Sequence, residues 1–125
     1  MHSERLLDHF QNPRNAGVLT PPAVQVTVEN PACGDILQLS ALFADGVVKE
    51  VRFKVRGCTA AIAAGSALTE LMLGRRSEDL RRITREDVES TVGGLIPESK
   101  HAAVLAIDGV RRLLTVARDA GETAG

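Results

Sequence analysis

Ile36-Leu37-Gln38-Leu39-Ser40-Ala41-Leu42-Phe43-Ala44-Asp45-Gly46-Val47-Val48-Lys49-Glu50-Val51-Arg52-Phe53-Lys54-Val55 is the stretch that decides the fold. Asp45-Gly46 is a strong two-residue hairpin turn, because such turns demand a left-handed backbone that these residues tolerate. Before the turn, Leu37, Leu39, Ala41 and Phe43 fall on one face. After it, Val47, Val51, Phe53 and Val55 share a face, while Glu50, Arg52 and Lys54 point the other way. Lys49 falls on the apolar face, near its edge. Upstream, Val24, Val26 and Val28 alternate with Gln25, Thr27 and Glu29, the period-2 pattern of a half-buried strand. The reading is three strands in an antiparallel meander with one face covered.

Helical patterns flank the strands on both sides. Ser3 can cap a helix over residues 3 to about 11, with Leu6, Leu7 and Phe10 on one face. Pro13, Gly17 and Pro21-Pro22 then enforce a loop. Thr59 to Leu73 is an alanine-rich helix whose small residues allow close approach to the sheet, and Gly74 is its stop. Ser77 and Thr84 read as N-caps of two shorter helices, Thr84 with Asp87 as a capping-box pair. From about Ser99 a last helix repeats Ala103, Ala106, Val110, Leu113 and Ala117 at three- and four-residue steps. The tail from about residue 120 is small and polar, and is expected to fray. Strands early and helices late predict an α+β fold, a three-stranded antiparallel sheet packed on one face by helices, as a single domain over 1–125.

Composition excludes several function classes. The net charge of −1 leaves no electrostatic footprint for nucleic acid or an anionic membrane. Aromatic residues make up 2% of the chain, so base-stacking platforms are missing as well. No apolar run is long enough to span a membrane. The N-terminus lacks an apolar signal core, so the expected compartment is the cytoplasm. The two cysteines are then expected as reduced thiols rather than a structural disulfide. The basic runs Arg75-Arg76 and Arg81-Arg82 are interleaved with acids and read as a solvated helix face, with partner docking as the other use.

Four residues carry the chemistry: Cys33, Asp35, Cys58 and His101. Asn30-Pro31-Ala32-Cys33-Gly34-Asp35 reads as a loop that points a thiolate and a carboxylate at one spot. In a meander, the loop before strand two and the end of strand three fall at the same end of the sheet, so Cys33 and Cys58 can meet there. His101 lies in the first turn of the last helix. Two thiolates, a carboxylate and an imidazole suit tetrahedral zinc, or iron with sulfide. Cys58 precedes a helix, whose amides are expected to favour its thiolate. Each residue taken alone also has a plain reading: Cys58 as a small buried hydrophobe, His101 as a surface residue, Asp35 as a turn residue. His2 and His9 read as surface or packing residues.

The chain resembles the iron–sulfur cluster assembly scaffold family of the IscU/NifU N-terminal type. The likeness runs from Ser3 to about Leu114. It rests on Asp8-His9 leading to Asn12-Pro13-Arg14-Asn15, on Pro31-Ala32-Cys33-Gly34-Asp35, and on Val51-Arg52-Phe53-Lys54 running into Gly57-Cys58. Ala61-Ile62-Ala63, Ser66, Leu68-Thr69-Glu70 and Gly74 complete it. The resemblance implies a non-enzymatic scaffold that docks a cysteine desulfurase, receives sulfur and iron, assembles a [2Fe-2S] cluster and passes it to iron–sulfur acceptor proteins. Zinc often holds the same site in isolated members.

By position the resemblance makes Cys33, Asp35, Cys58 and His101 the metal ligands, and Cys58 and Cys33 the sulfur acceptors. It also makes Asp35 the weak ligand that lets the cluster be handed on. There are two departures. The family's third cysteine is replaced by Ala102, which implies a shorter-lived cluster. The family's Leu-Pro-Pro-Val-Lys segment reads Leu95-Ile96-Pro97-Glu98-Ser99, which makes docking of a specialised Hsp70-type chaperone doubtful. Two rival readings follow: a zinc-bound sulfur relay that activates a desulfurase, and a regulatory or binding paralogue in which zinc is structural.

Overall fold

The structure is a computed structural model that describes residues 2–119. The tail expected to fray from about 120 lies outside the described residues. Helix α1 (Glu4–Gln11) leads into a long loop, then strands β1 (Val24–Glu29), β2 (Ile36–Ala44) and β3 (Val47–Arg56). Helices α2 (Thr59–Met72), α3 (Ser77–Leu80), α4 (Arg85–Thr91) and α5 (His101–Asp119) follow, with a 3₁₀ turn at Pro97–Ser99 ahead of α5. The sheet order is β1-β2-β3, antiparallel throughout. The α+β architecture read from the sequence is the observed one.

The hairpin turn forms at Asp45-Gly46, both at positive φ (55° and 76°). A bulge then breaks the pairing: Leu42 faces Glu50, but Phe43 faces Val48, so Lys49 is the extra residue. This corrects the expected face of two residues. Val48 is buried and Lys49 exposed, whereas Val47 and Lys49 were expected on the apolar side. The inserted residue reverses the alternation on the turn side of the bulge, and Val51 and Phe53 face the core as expected.

Helices α2 and α5 cover the inner face of the sheet. Helix α2 is buried on nearly every side, because α1, α4 and α5 also pack on it. Its alanines suit this position, since a buried helix has no room for a polar face. At Gly65 an added Cβ would lie 2.6 Å from the Phe53 ring, so glycine is what lets α2 seat on β3. Ser3 caps α1, accepting from Leu6 N at 3.0 Å. The inward face of α1 is Leu6 and His9, and Leu7 is 39% exposed, so Leu7 does not join the apolar stripe.

Both ends of the β3 outer edge are occupied. Gly17 N donates to Phe53 O at 2.8 Å, and Phe53 N to Asn15 O at 2.9 Å. At the other end, Arg76 bridges to Val47, and Val48 N donates to Arg75 O at 2.8 Å. Arg75-Arg76 is therefore an extended edge segment, not a helix face as its charge pattern implied. Arg76 also takes the N-cap position of α3, one residue before Ser77. Thr84 and Asp87 make the expected capping box. The loop after α1 also crosses the outer face of the sheet, where Leu19 N donates to the buried Ser40 Oγ at 3.0 Å.

Candidate metal centre

The β1–β2 loop is tied off by Asn30. Its N–H donates to Asp35 O at 2.9 Å, its carbonyl accepts from Gly34 N at 2.7 Å, and its side-chain oxygen accepts from Ala32 N at 2.9 Å. Gly34 sits at φ 78°, a backbone state that glycine takes without cost. The tight turn leaves Cys33 exposed and turns Asp35 inward, where it is 7% exposed.

Cys58 holds the N-cap position of α2, and its side chain makes no capping hydrogen bond. The sulfur is thus left free to face the loop. His101 opens α5, just after the 3₁₀ turn. Lys100 beside it is held by an ion pair to Glu89 at 2.6 Å, which anchors the start of α5 to α4.

Asp35 Oδ2 is the hub of the site. It accepts from Cys58 Sγ at 3.3 Å and lies 3.5 Å from His101 Nε2. His101 Nε2 is 3.7 Å from Cys58 Sγ. Cys33, Asp35 and His101 each offer a ligand atom, all within 4.8 Å of one another. Cys58 touches this group through Asp35 and His101 but is not one of the three whose ligand atoms all lie within 4.8 Å, and Cys33 and Cys58 are free thiols. Ala102, the next residue along, is 1% exposed and packs into the core.

One electrostatic expectation is reversed. Burial pushes the Cys58 thiol above its ordinary value, and the hydrogen bond and charge of Asp35 add to this. The amides of Ala61 and Ala60 pull the other way, as a helix N-terminus should, but do not prevail. In the metal-free site the Cys58 proton is thus retained and shared toward Asp35. A cation placed among these donors would displace it, because thiolate is the form that ligates.

Sequence reasoning missed Gly57. An alanine Cβ there would lie 2.6 Å from both Cγ and Oδ1 of Asp35. The missed signal was pairing: one step beyond the last ladder pair, Ile36–Arg56, Gly57 stands opposite Asp35. A second polar cluster lies outside the site. Buried His9 contacts Ser66 Oγ through Nδ1 at 2.8 Å and Glu70 through Nε2 at 3.3 Å, and Ser66 Oγ also accepts from Arg14 N at 2.9 Å. This knits α1 and its loop to α2, so His9 is a packing residue.

Comparison with known proteins identifies the family and the fold. Residues 1–116 match the NifU-like N terminal domain family. The iron-sulfur cluster assembly scaffold protein IscU 1 of Archaeoglobus fulgidus is 39% identical over 114 residues, covering 91% of this chain and 74% of that protein. The scaffold protein IscU of Haemophilus influenzae is 35% identical over 114 residues, covering 88% and 90%. Among solved structures, the N-terminal part of a nitrogen-fixing NifU-like protein from Brucella abortus superposes with a TM-score of 0.60 at 22% identity, covering 98% and 93%. A candidate SUF-system scaffold protein from Fervidobacterium islandicum AW-1 gives 0.74 at 16% identity, covering 90% and 96%. At those identities the two structures speak for the fold alone.

Proposed function

This chain belongs to the NifU-like N-terminal domain family, and from that premise we propose how its own residues serve a scaffold for iron–sulfur cluster assembly. Relatives that carry the scaffold name match it over most of its length. The chain holds its cargo rather than turning over a substrate. Cys33, Asp35, Cys58 and His101 are the donors that take up the metal. Cys58 and Cys33 receive sulfur from a cysteine desulfurase: the thiolate attacks the outer sulfur of the donor's persulfide, and the donor's cysteine leaves as thiolate. Two electrons from an external thiol or electron-donor protein then reduce each persulfide sulfur to sulfide and restore the cysteine thiolate, and the assembled [2Fe-2S] unit is the cargo passed to acceptor proteins.

The observation that carries this reading is the convergence on Asp35 Oδ2, with Cys58 Sγ at 3.3 Å and His101 Nε2 at 3.5 Å. Loop, helix cap and helix start meet there, although the residues are far apart in sequence. A carboxylate at the hub gives an oxygen ligand between thiolates. Iron held so is bound less tightly than by thiolates alone, which suits a cargo that must leave. Histidine ligation of a [2Fe-2S] unit has precedent in Rieske centres.

Three of the donors are also spaced as zinc ligands would be. Zinc bonds of 2.0–2.3 Å in a tetrahedron set donor atoms about 3.3–3.8 Å apart. The separations of 3.3, 3.5 and 3.7 Å among Asp35, His101 and Cys58 fall in that range.

The test is reconstitution. Apo-protein incubated without oxygen with ferrous iron, L-cysteine, a cysteine desulfurase and dithiothreitol, which reduces persulfide sulfur to sulfide, should develop the visible charge-transfer bands of a [2Fe-2S] unit. Cys58→Ser should abolish them. A wild-type sample that stays colourless while desulfurase turnover is normal would refute the scaffold reading at these residues.

A further inference from the structure

We propose that Gly57 is a positioning residue for the metal centre: the absence of a side chain there is what lets Asp35 sit between Cys58 and His101. The inference rests on the reading of Asp35 as a ligand given above.

The argument starts from register. A two-residue turn at Asp45-Gly46 pairs Ala44 with Val47 and Phe43 with Val48. Continued without interruption, that register would set Arg56 opposite Asp35. The bulge at Lys49 shifts the pairing by one, so the last ladder pair is Ile36 with Arg56, and the same register extended one step sets Asp35 opposite Gly57. Directly opposed residues on one face of a sheet ordinarily keep their Cβ atoms about 4.5–5.5 Å apart. Here a Cβ on Gly57 would lie 3.0 Å from Asp35 Cβ and 2.6 Å from its Cγ and Oδ1. The carboxylate is folded over the glycine, in space that any other residue would fill. That fold directs Oδ2 toward Cys58 Sγ and His101 Nε2.

Two further facts isolate the effect. Gly57 does not adopt a left-handed backbone, so alanine is compatible with its conformation. It is also exposed, so its substitution opens no hole in the core. The consequence of Gly57→Ala should therefore be confined to the position of Asp35.

The test is a double-mutant cycle read by zinc competition against a chromogenic chelator, with unfolding of the metal-free proteins as control. Gly57→Ala should leave the metal-free melting temperature within a few degrees of wild type and weaken zinc about tenfold or more, the scale of losing a ligand's support. In an Asp35→Ala background the same substitution should change zinc affinity less than twofold, because its only target is gone. An unchanged affinity for Gly57→Ala alone would overturn the proposal. So would an equal loss in both backgrounds, which would mean Gly57 acts on something other than Asp35. If Asp35→Ala alone leaves zinc affinity unchanged, the reading of Asp35 as a ligand fails first, and that result is separate from either of the others.

Discussion

Asp35 Oδ2 stands 3.3 Å from Cys58 Sγ, across the gap between the start of β2 and the N-cap of α2. Without a metal, that contact is a thiol donating to a carboxylate. After burial, it does most to hold the Cys58 thiol above its ordinary pKa. Replacing Asp35 by Asn removes the charge while keeping the shape, so the Cys58 pKa should fall part of the way. In a Cys33→Ala background treated with chelator, alkylation of Cys58 by iodoacetamide near pH 8 should then speed up a few-fold, since the thiolate is the reacting form. A rate equal to or below that of the Asp35 parent would remove the carboxylate from the control of this thiol.

His9 gives a pH dependence that belongs to the fold and not to the site. Burial holds its imidazole below the ordinary 6.5, and the Arg14 charge acts the same way, while Glu70 and Asp8 oppose them. The unfolded chain takes up the proton near the ordinary value, so between the two values the unfolded state binds more protons. Stability therefore rises with pH through the window below about 6.5, and is lost as the pH falls through it. One such group can contribute a slope of at most about 1.4 kcal/mol per pH unit. Urea unfolding between pH 7.5 and 5 should show wild type losing more stability on acidification than His9→Gln. Equal losses would assign the titration to another group.

Most of the fold was legible because hydrophobic alternation and turn chemistry agreed. The exception at Lys49 was legible too, had parity been counted. Leu37, Leu39 and Ala41 on one strand and Val51 and Phe53 on the next are all odd-numbered and all face the core. A two-residue turn at Asp45-Gly46 pairs odd with even positions, so both can hold only if one residue is extra. That the Cys33-Asp35 loop and the end of the third strand fall at the same end of the sheet followed from strand order, and Asp35 and Cys58 meet there. The place of His101 did not follow from it, because nothing in a helix pattern says where on the sheet its first turn lands. The extended path of Arg75-Arg76 was hidden for a related reason: it depends on the unpaired edge of β3, a tertiary demand that local charge patterning does not register.

Two helical glycines separate close packing that can yield from close packing that cannot. At Gly65 an added Cβ would meet Phe53 Cδ2 at 2.6 Å, Cε2 at 2.8 Å and Val55 Cγ2 at 3.2 Å. A ring held under a buried helix has little room to retreat, so overpacking should cost about 1–3 kcal/mol. At Gly109 the close atom is Leu37 Cδ2 at 2.6 Å, and the next is 3.6 Å away. The end of one leucine can rotate, and alanine brings up to about 1 kcal/mol of helix propensity in return. Urea unfolding should find Gly65→Ala clearly destabilised and Gly109→Ala close to wild type. The reverse order would mean that α5, not α2, is the tightly seated helix.

Zinc should act as a clasp between three elements. Its proposed ligands lie on the β1–β2 loop (Cys33, Asp35), the N-cap of α2 (Cys58) and the start of α5 (His101). An ion that binds these donors only when they converge stabilises the folded state by about 2.7 kcal/mol at a free concentration one hundred times its Kd. For a domain of this size that corresponds to a rise of roughly 10 °C in Tm. His101→Ala removes the ligand that α5 supplies, so most of the rise should disappear while the metal-free Tm changes little, His101 being only half-buried. Acidification should weaken the clasp in both proteins, since the Cys58 proton must leave before sulfur can ligate and burial already favours its retention. Thermal unfolding with and without zinc, at pH 7.5 and at pH 6, checks all three statements. A zinc-induced rise that survives His101→Ala in full would place the ion on the loop and the α2 cap alone, and would remove α5 from the site.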